Sequence, residues 1–301
     1  MLTFHPMSTD DRLRMQRAAR ADGCRSADYY FGTLFLWSGK TRYWIADGES
    51  PMIQLQREEE SPLFLWPVGS GDKRAALQSL LDYATAQGFP PAFMGLEERH
   101  AAELETLFPG CFEIQERRNW ADYIYEADRL ISLSGKHLHG KRNHISRFLR
   151  EHDDWHFEEL TPALFPDCLA LADEWSHHAD NSAGLLEQER CALERAFAHY
   201  DTLALLGGAL FAGEQLIAFT MGEHTAADTF DVHFEKAHGE INGAFPMVNR
   251  EFVQLIKSRI PEVVYINRED DMGQENLRRS KESYYPAFLL RKFSARWRED
   301  S

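Results

Sequence analysis

Apolar positions along the chain switch repeatedly between a helical and a strand spacing. In residues 73–87, Leu77, Leu80, Leu81 and Ala84 recur at three- and four-residue steps, which predicts a helix. The same spacing predicts helices over 10–22, 101–108, 162–178, 187–200, 244–259 and 275–284. Short apolar or alternating runs predict strands over 33–37, 42–46, 52–56, 63–68, 92–96, 155–160 and 263–267. Residues 113–125 read as a long strand or a hairpin, 203–211 and 215–223 as a hairpin across Ala212-Gly213-Glu214, and 287–293 as a last strand. The second half therefore runs β-α-α-β-β-β-α-β-α-β, and the first half is a looser version of it. That order predicts an α/β (α+β) chain of two tandem domains with mixed sheets. The expected division is an N-terminal domain over 1–135, a basic linker helix over 136–152 and a C-terminal domain over 153–301.

The strand expected at 229–236 carries the most chemistry. Strict alternation sets Phe230, Val232 and Phe234 on one face and Asp231, His233 and Glu235 on the other. It runs into the loop HGEING, whose glycines let backbone approach a ligand closely. Asn242 suits the cap of the next helix and Pro246 its first turn. Amides at such a helix start suit a phosphate, which makes Lys236, Gly239, Asn242, Gly243, Ala244 and Phe245 candidates for holding one. The competing reading is an ordinary βαβ connection with a glycine turn. The glycine spacing matches neither GxGxxG nor GxxxxGK[ST].

Composition and charge narrow the picture. The 301 residues are 44% hydrophobic and 12% aromatic, enough for packed cores. No run approaches 18 apolar residues, so no membrane span is expected. The N-terminus lacks the apolar stretch of a secretory signal, and the four cysteines are scattered without CxxC spacing, so a cytoplasmic protein with buried free thiols is expected. Net charge is −15, yet 12 of the 33 Lys and Arg lie within residues 136–150 and 278–298. Local basic sites on an acidic body fit a specific anionic ligand better than a polyanion coat.

Within the first basic segment, Ile145, Phe148 and Leu149 form the apolar stripe of a helix, and Lys141 and Arg142 lie one turn earlier on roughly the same face. A solvated basic helix is the alternative. His137, His139 and His144 lack a matching carboxylate or cysteine spacing, so no metal is expected. After the strand at 263–267 come Arg268, Asp270 and Asp271, where open α/β sheets hold ligands. These acids read as helix N-terminal charges, a metal pair or acceptor-binding groups. In the helix over 275–284, Leu277, Lys281 and Tyr284 share a face, so Lys281 stands where an apolar residue is expected. It reads either as an oxyanion stabiliser or as an ion pair with Asp270, Asp271 or Glu235. Arg278 joins Lys141, Arg142, Arg268 and Tyr284 as a candidate acceptor or anion contact.

The segments GKHLHGKRNHISRF, FEKAHGEINGAF, YINREDDMG and ENLRRSKESYYPAF, in that order, resemble an uncharacterised bacterial family related to the C-terminal domain of phosphatidylglycerol lysyltransferases. That family is similar to tandem N-acetyltransferase-like (GNAT-like) proteins, among them the Fem-type aminoacyltransferases. The resemblance covers residues 118–293 well and the first 117 only in element order. It implies a dual GNAT-like fold and transfer of an acyl or aminoacyl group. Lys141 and Arg142 match the family's basic helix, and Lys281 its late lysine. Two departures stand out: the lysyltransferases carry a large membrane region that this chain lacks, and the acetyltransferase pyrophosphate signature has its second glycine displaced.

The expectation is thus a transferase moving an acyl group from a coenzyme A thioester (acyl-CoA) or an aminoacyl-tRNA to an amine or hydroxyl. Glu235 or His233 would take the acceptor's proton, and Lys281 would steady the oxyanion. The alternative is a non-catalytic module of the same fold that binds coenzyme A or a similar phosphate-bearing ligand.

Overall fold

A computed structural model describes residues 2–48, 50–57, 60–178 and 183–298, with the side chains of 175–178 and 183 left outside the description. The chain divides into two units. The first comprises Met1–Asp122, Asp270–Gln274 and Leu289–Ser301, and the second Tyr123–Glu269 and Glu275–Phe288.

In the first unit the order is β1 (Phe4–Pro6), α1 (Arg12–Ala21), α2 (Phe31–Leu36), β2 (Thr41–Ala46), β3 (Met52–Arg57), β4 (Leu63–Phe64), α3 (Lys73–Gln87), β5 (Ala92–Glu97), α4 (Glu98–Leu107) and β6 (Phe112–Glu116). The second unit follows with β7 (Asp122–Glu126), α5 (Ala127–Ser132), α6 (His139–Glu151), β8 (Trp155–Glu159), α7 (Phe165–His178), α8 (Ala183–Ala198) and α9 (Tyr200–Leu203). It continues through β9 (Leu206–Ala212), β10 (Gln215–His224), β11 (Thr229–Ala237), α10 (Ala244–Arg259), β12 (Tyr265–Asn267), α11 (Glu275–Glu282) and β13 (Phe288–Leu290). The last strand, β14 (Lys292–Trp297), returns to the first unit.

Each unit is built on one seven-stranded mixed sheet, ordered β1-β2-β3-β4-β5-β14-β6 and β8-β9-β10-β11-β12-β7-β13. Pairing sense shows that the two are repeats. In both, the first three junctions are antiparallel, the fourth is parallel (β4 with β5, β11 with β12) and the fifth is antiparallel. A parallel neighbour requires a crossover. The crossover helix is α3 in the first unit and α10 in the second.

The sixth position explains why the expected boundaries at 135 and 152 are not where the chain divides. β7 pairs with β12 in the second sheet, while β14 lies between β5 and β6 in the first. Helix α6 is no free linker. Ile145 and Phe148 are buried with Met247 and Val248 of α10, whereas Leu149, expected in the stripe, is 38% exposed.

Three expected elements change. Residues 113–125 do not form one strand, because β6 and β7 join different sheets around the turn Arg118–Trp120. The expected strand at 287–293 divides into β13 and β14 for the same reason. The expected strand at 33–37 belongs to helix α2, which is almost wholly buried; a short apolar run has no periodicity to separate helix from strand. All four cysteines are free, but Cys191 is exposed and Cys111 half-exposed rather than buried.

β14 is fixed in the first unit by Lys292. Its buried ammonium meets the Asp122 carboxylate at 2.7 Å and that of Asp28 at 2.8 Å. Burial works against that charge, but the two carboxylates dominate and hold the ammonium's pKa above its ordinary value.

Candidate functional site

The site is built by β11, the loop after it and the start of α10, with α6 packed alongside. β11 does not alternate as its sequence suggests. Met221 of β10 pairs with Phe234, and the next residue, Gly222, pairs with Val232. His233 is therefore the extra residue of a β-bulge, and side chains beyond it change face. Phe230 packs edge-on against Phe252 of α10, with centroids 5.7 Å apart, and beyond the bulge it is Glu235 that meets Asn249 of the same helix. Lys236 turns instead to Glu189 of α8, at 2.8 Å. Gly222 permits the bulge, since a Cβ there would stand 1.9 Å from the Asp231 carbonyl oxygen.

This rearrangement sets the three residues expected to be catalytic among partners at the end of β12. His233 is buried, with its Nδ1 2.9 Å from Glu269 and its Nε2 3.5 Å from Glu223. Burial alone would lower its pKa, but Glu223, Glu269 and the charge of Asp231 carry it well above the ordinary value. Glu235 has both carboxylate oxygens engaged, one by Arg268 Nη2 and one by Asn249 Nδ2, each at 2.9 Å. Lys281 is buried, as its position predicts, and its ammonium donates to the Arg268 carbonyl at 2.5 Å. All three hold the end of β12 in place.

Arg268 is the centre of this support. Its guanidinium lies 5.0 Å from the ring centroid of Tyr284 and 5.7 Å from that of Tyr125. On the same Tyr284 ring, the Lys141 ammonium stands at 3.9 Å. Burial and the charge of Arg268 pull the Lys141 pKa down to about 8, with Glu235 opposing.

Lys141 also lines a cavity of about 230 Å³, together with His144, Gly239, Ile241, Asn242, Gly243, Phe245 and Pro246. Its floor is the glycine loop. Gly243, not Asn242, caps α10, in a left-handed conformation at φ 90°. A Cβ on Gly243 would stand 2.5 Å from the His144 carbonyl oxygen, so this glycine lets the loop close on α6. A Cβ on Gly239 would meet nothing within 4 Å. Asn242, released from capping, accepts a hydrogen bond at its Oδ1 from His144 Nδ1, 2.8 Å away. The helix start presents fewer amides than expected: that of Ala244 donates to Ile241, and Pro246 has none.

The remaining expected contacts scatter. Lys236 is buried against Glu189, away from the loop, with its pKa lowered by burial and partly restored by that carboxylate. Arg142 donates to the carbonyls of Leu133 and Gly135, tying the turn after α5. Asp270 and Asp271 belong to the first unit, where Asp271 is buried and bonded to Arg118 and to the Gly273 amide. Arg278 is half-buried on α11. The residues that do gather are Lys141, Arg268, Tyr284, Glu235 and the loop from Gly239 to Phe245. His144, Asn249 and Tyr125 join them unforeseen as site residues. His144 had a signal, since it follows Lys141 by three residues on a helix.

The repeat supplies an internal comparison. In the first unit the start of the crossover helix α3 also borders a cavity, of about 200 Å³, lined by Gly71, Asp72 and Ala75 among others. There Asp72 caps its own helix, accepting from the Ala75 amide at 3.1 Å, and among the described residues no Lys or Arg lines the wall. In the second unit the corresponding cavity has Lys141 in its wall.

Comparison with known proteins agrees with this architecture. A conserved protein of unknown function from Bacteroides thetaiotaomicron is 33% identical and superimposes with a TM-score of 0.92, covering 99% of this chain and 100% of that one. The structure of L-PGS from Bacillus licheniformis is 14% identical with a TM-score of 0.66, over 97% and 93% of the two chains. A tandem GNAT protein from the clavulanic acid biosynthesis pathway is 11% identical with a TM-score of 0.52, over 98% of each. The fold is that of the tandem GNAT-like acyltransferases. An uncharacterised protein of Mycoplasmoides gallisepticum is 22% identical over 174 residues, and the match spans 57% of this chain and only about half, 54%, of that protein. No helix among the described residues is long and apolar enough to cross a membrane. The family described as phosphatidylglycerol lysyltransferase, C-terminal, matches residues 23–296, and the chain belongs to it.

Proposed function

We propose that this chain is a transferase that moves an acyl or aminoacyl group from an aminoacyl-tRNA or a coenzyme A thioester to an amine or hydroxyl. The observation that carries the reading is the cavity at the start of α10, with the Lys141 ammonium in its wall and an open face at Gly239. A phosphate of the donor suits that combination of a cation with exposed loop backbone. The family's name speaks of lysyl transfer, which favours the aminoacyl donor. Arg268, Glu235 and Tyr284 would form the wall on which Lys141 is held, rather than take part in proton transfer.

Thermal-shift measurements with coenzyme A, acetyl-CoA and charged tRNA, followed by transfer assays with amine and hydroxyl acceptors, test this directly. Stabilisation by one donor and product formation are expected. A tRNA donor adds a steep fall in affinity with salt. If no donor stabilises the chain, the phosphate role of the cavity is wrong. A second reading, a ligand-binding module without catalysis, is favoured by the engagement of His233, Glu235 and Lys281 in buried contacts. Binding without turnover of any acceptor would support it.

A further inference from the structure

We propose that His144 is the proton acceptor of the transfer step and that Asn242 positions its ring. This rests on the transferase reading and names the base that His233 and Glu235 do not supply. A general base needs an accessible lone pair in the cavity and a fixed ring. His144 lies in the cavity wall, is exposed, and stands one helical turn beyond Lys141. Its Nδ1–H donates to Asn242 Oδ1 at 2.8 Å, which leaves Nε2 as the nitrogen with the lone pair. An amide oxygen as partner fixes the tautomer of the ring.

The pair depends on the fold and not on sequence proximity, since the two residues are 98 positions apart. The left-handed turn at Gly243 lays the loop on α6, and its missing side chain allows the contact with the His144 carbonyl. The titratable and charged groups on the surrounding elements are His139, Lys141, Arg142, Arg147, Arg150 and Glu151 on α6, His238 and Glu240 on the loop, and Arg250, Glu251, Lys257 and Arg259 on α10. Of these, Arg147 is paired with Glu151, and His238 lies 3.8 Å from Glu174.

In the step, the acceptor's nitrogen or oxygen attacks the donor carbonyl and a C–N or C–O bond forms. Its proton passes to His144 Nε2. The ester C–O or thioester C–S bond of the donor then breaks, and the same proton passes from Nε2 to the leaving oxygen or sulfur. No proton is gained or lost overall, and nothing is oxidised or reduced.

Two measurements on the full chain test this. Long-range ¹⁵N–¹H NMR at neutral pH reads the tautomer without any substrate. The expected result is His144 protonated at Nδ1 and bare at Nε2, with Asn242→Ala losing that preference while the melting temperature holds. A wild-type ring protonated at Nε2 overturns the proposal. In transfer assays, His144→Gln is expected to lower kcat by about 10²-fold or more at similar donor KM and to remove the acid limb of the pH profile. His144→Ala is expected to regain rate with added imidazole. Wild-type transfer that His144→Gln leaves unchanged overturns the role of His144 alone, whereas no transfer by the wild type with any donor overturns the transferase reading itself.

Discussion

The Lys141 ammonium stands 3.9 Å above the ring of Tyr284, and the Arg268 guanidinium lies 5.0 Å from the same ring. One aromatic side chain thus carries two cations, and Arg268 also holds Glu235. The arrangement keeps Lys141 in the cavity wall with an ammonium that loses its proton unusually easily.

That ease sets a pH dependence whose sign is definite. Below pH of about 8 Lys141 is charged, and above it the amine is neutral. Affinity for a phosphate-bearing donor is therefore expected to fall as pH rises through about 8. Lys141→Arg should remove that fall, because guanidinium stays charged, and Lys141→Met should weaken binding below pH of about 8 and differ little from the wild type well above it. Isothermal titration across pH 6.5–9.5, in steps of about half a unit, checks this; an affinity flat through that range in the wild type would contradict the phosphate role of Lys141.

The two loop glycines should separate stability from binding. Gly243 has a positive φ and presses on α6, so Gly243→Ala should destabilise the chain by about 1–3 kcal/mol in urea unfolding. Gly239 faces open cavity, and Gly239→Ala should leave the unfolding midpoint unchanged while weakening donor binding. Equal losses of stability from both variants would contradict this division.

At the bulge, Gly222→Ala would set a Cβ 1.9 Å from the Asp231 carbonyl oxygen, an atom of the main chain that cannot swing aside. A loss of about 1–3 kcal/mol or more is expected by chemical denaturation, together with altered chemical shifts at His233 and Glu235.

Lys292 offers a test of the first unit alone. Lys292→Ala removes the cation between two carboxylates, of which Asp122 is only 1% exposed. Breaking such a pair costs about 3–5 kcal/mol. The double variant Lys292→Met with Asp122→Asn should recover part of that loss in guanidinium unfolding.

Much of this architecture is legible in the chain. Helix α10 occupies the predicted residues 244–259, the strand before it lies where its alternation places it, and Lys281 is buried as its helical face requires. What escaped the sequence was decided by distant partners. Period-two alternation presumes unbroken pairing, and the insertion of His233 against Met221 and Gly222 reverses the faces from Phe234 onward. Residues 112–126 hold two strands whose sheets differ only because β12 and β14 claim them. Asn242 is a sound helix cap by composition, but Gly243 takes the cap and the amide finds His144, an outcome set by how α6 packs.

The position of β14 bears on the order in which the protein is made. Residues up to 116 supply six of the seven strands of the first sheet, yet β5 and β6 are joined only through residues 292–297. On the ribosome, which works from the N-terminus at about 5–20 residues per second, those two strand edges stay unpaired until nearly the whole second unit has been synthesised. An unpaired edge is a template for a neighbouring chain. The nascent protein is therefore most prone to aggregate late in translation, and a stall or cleavage before residue 292 would leave the first sheet open however well the second unit had folded.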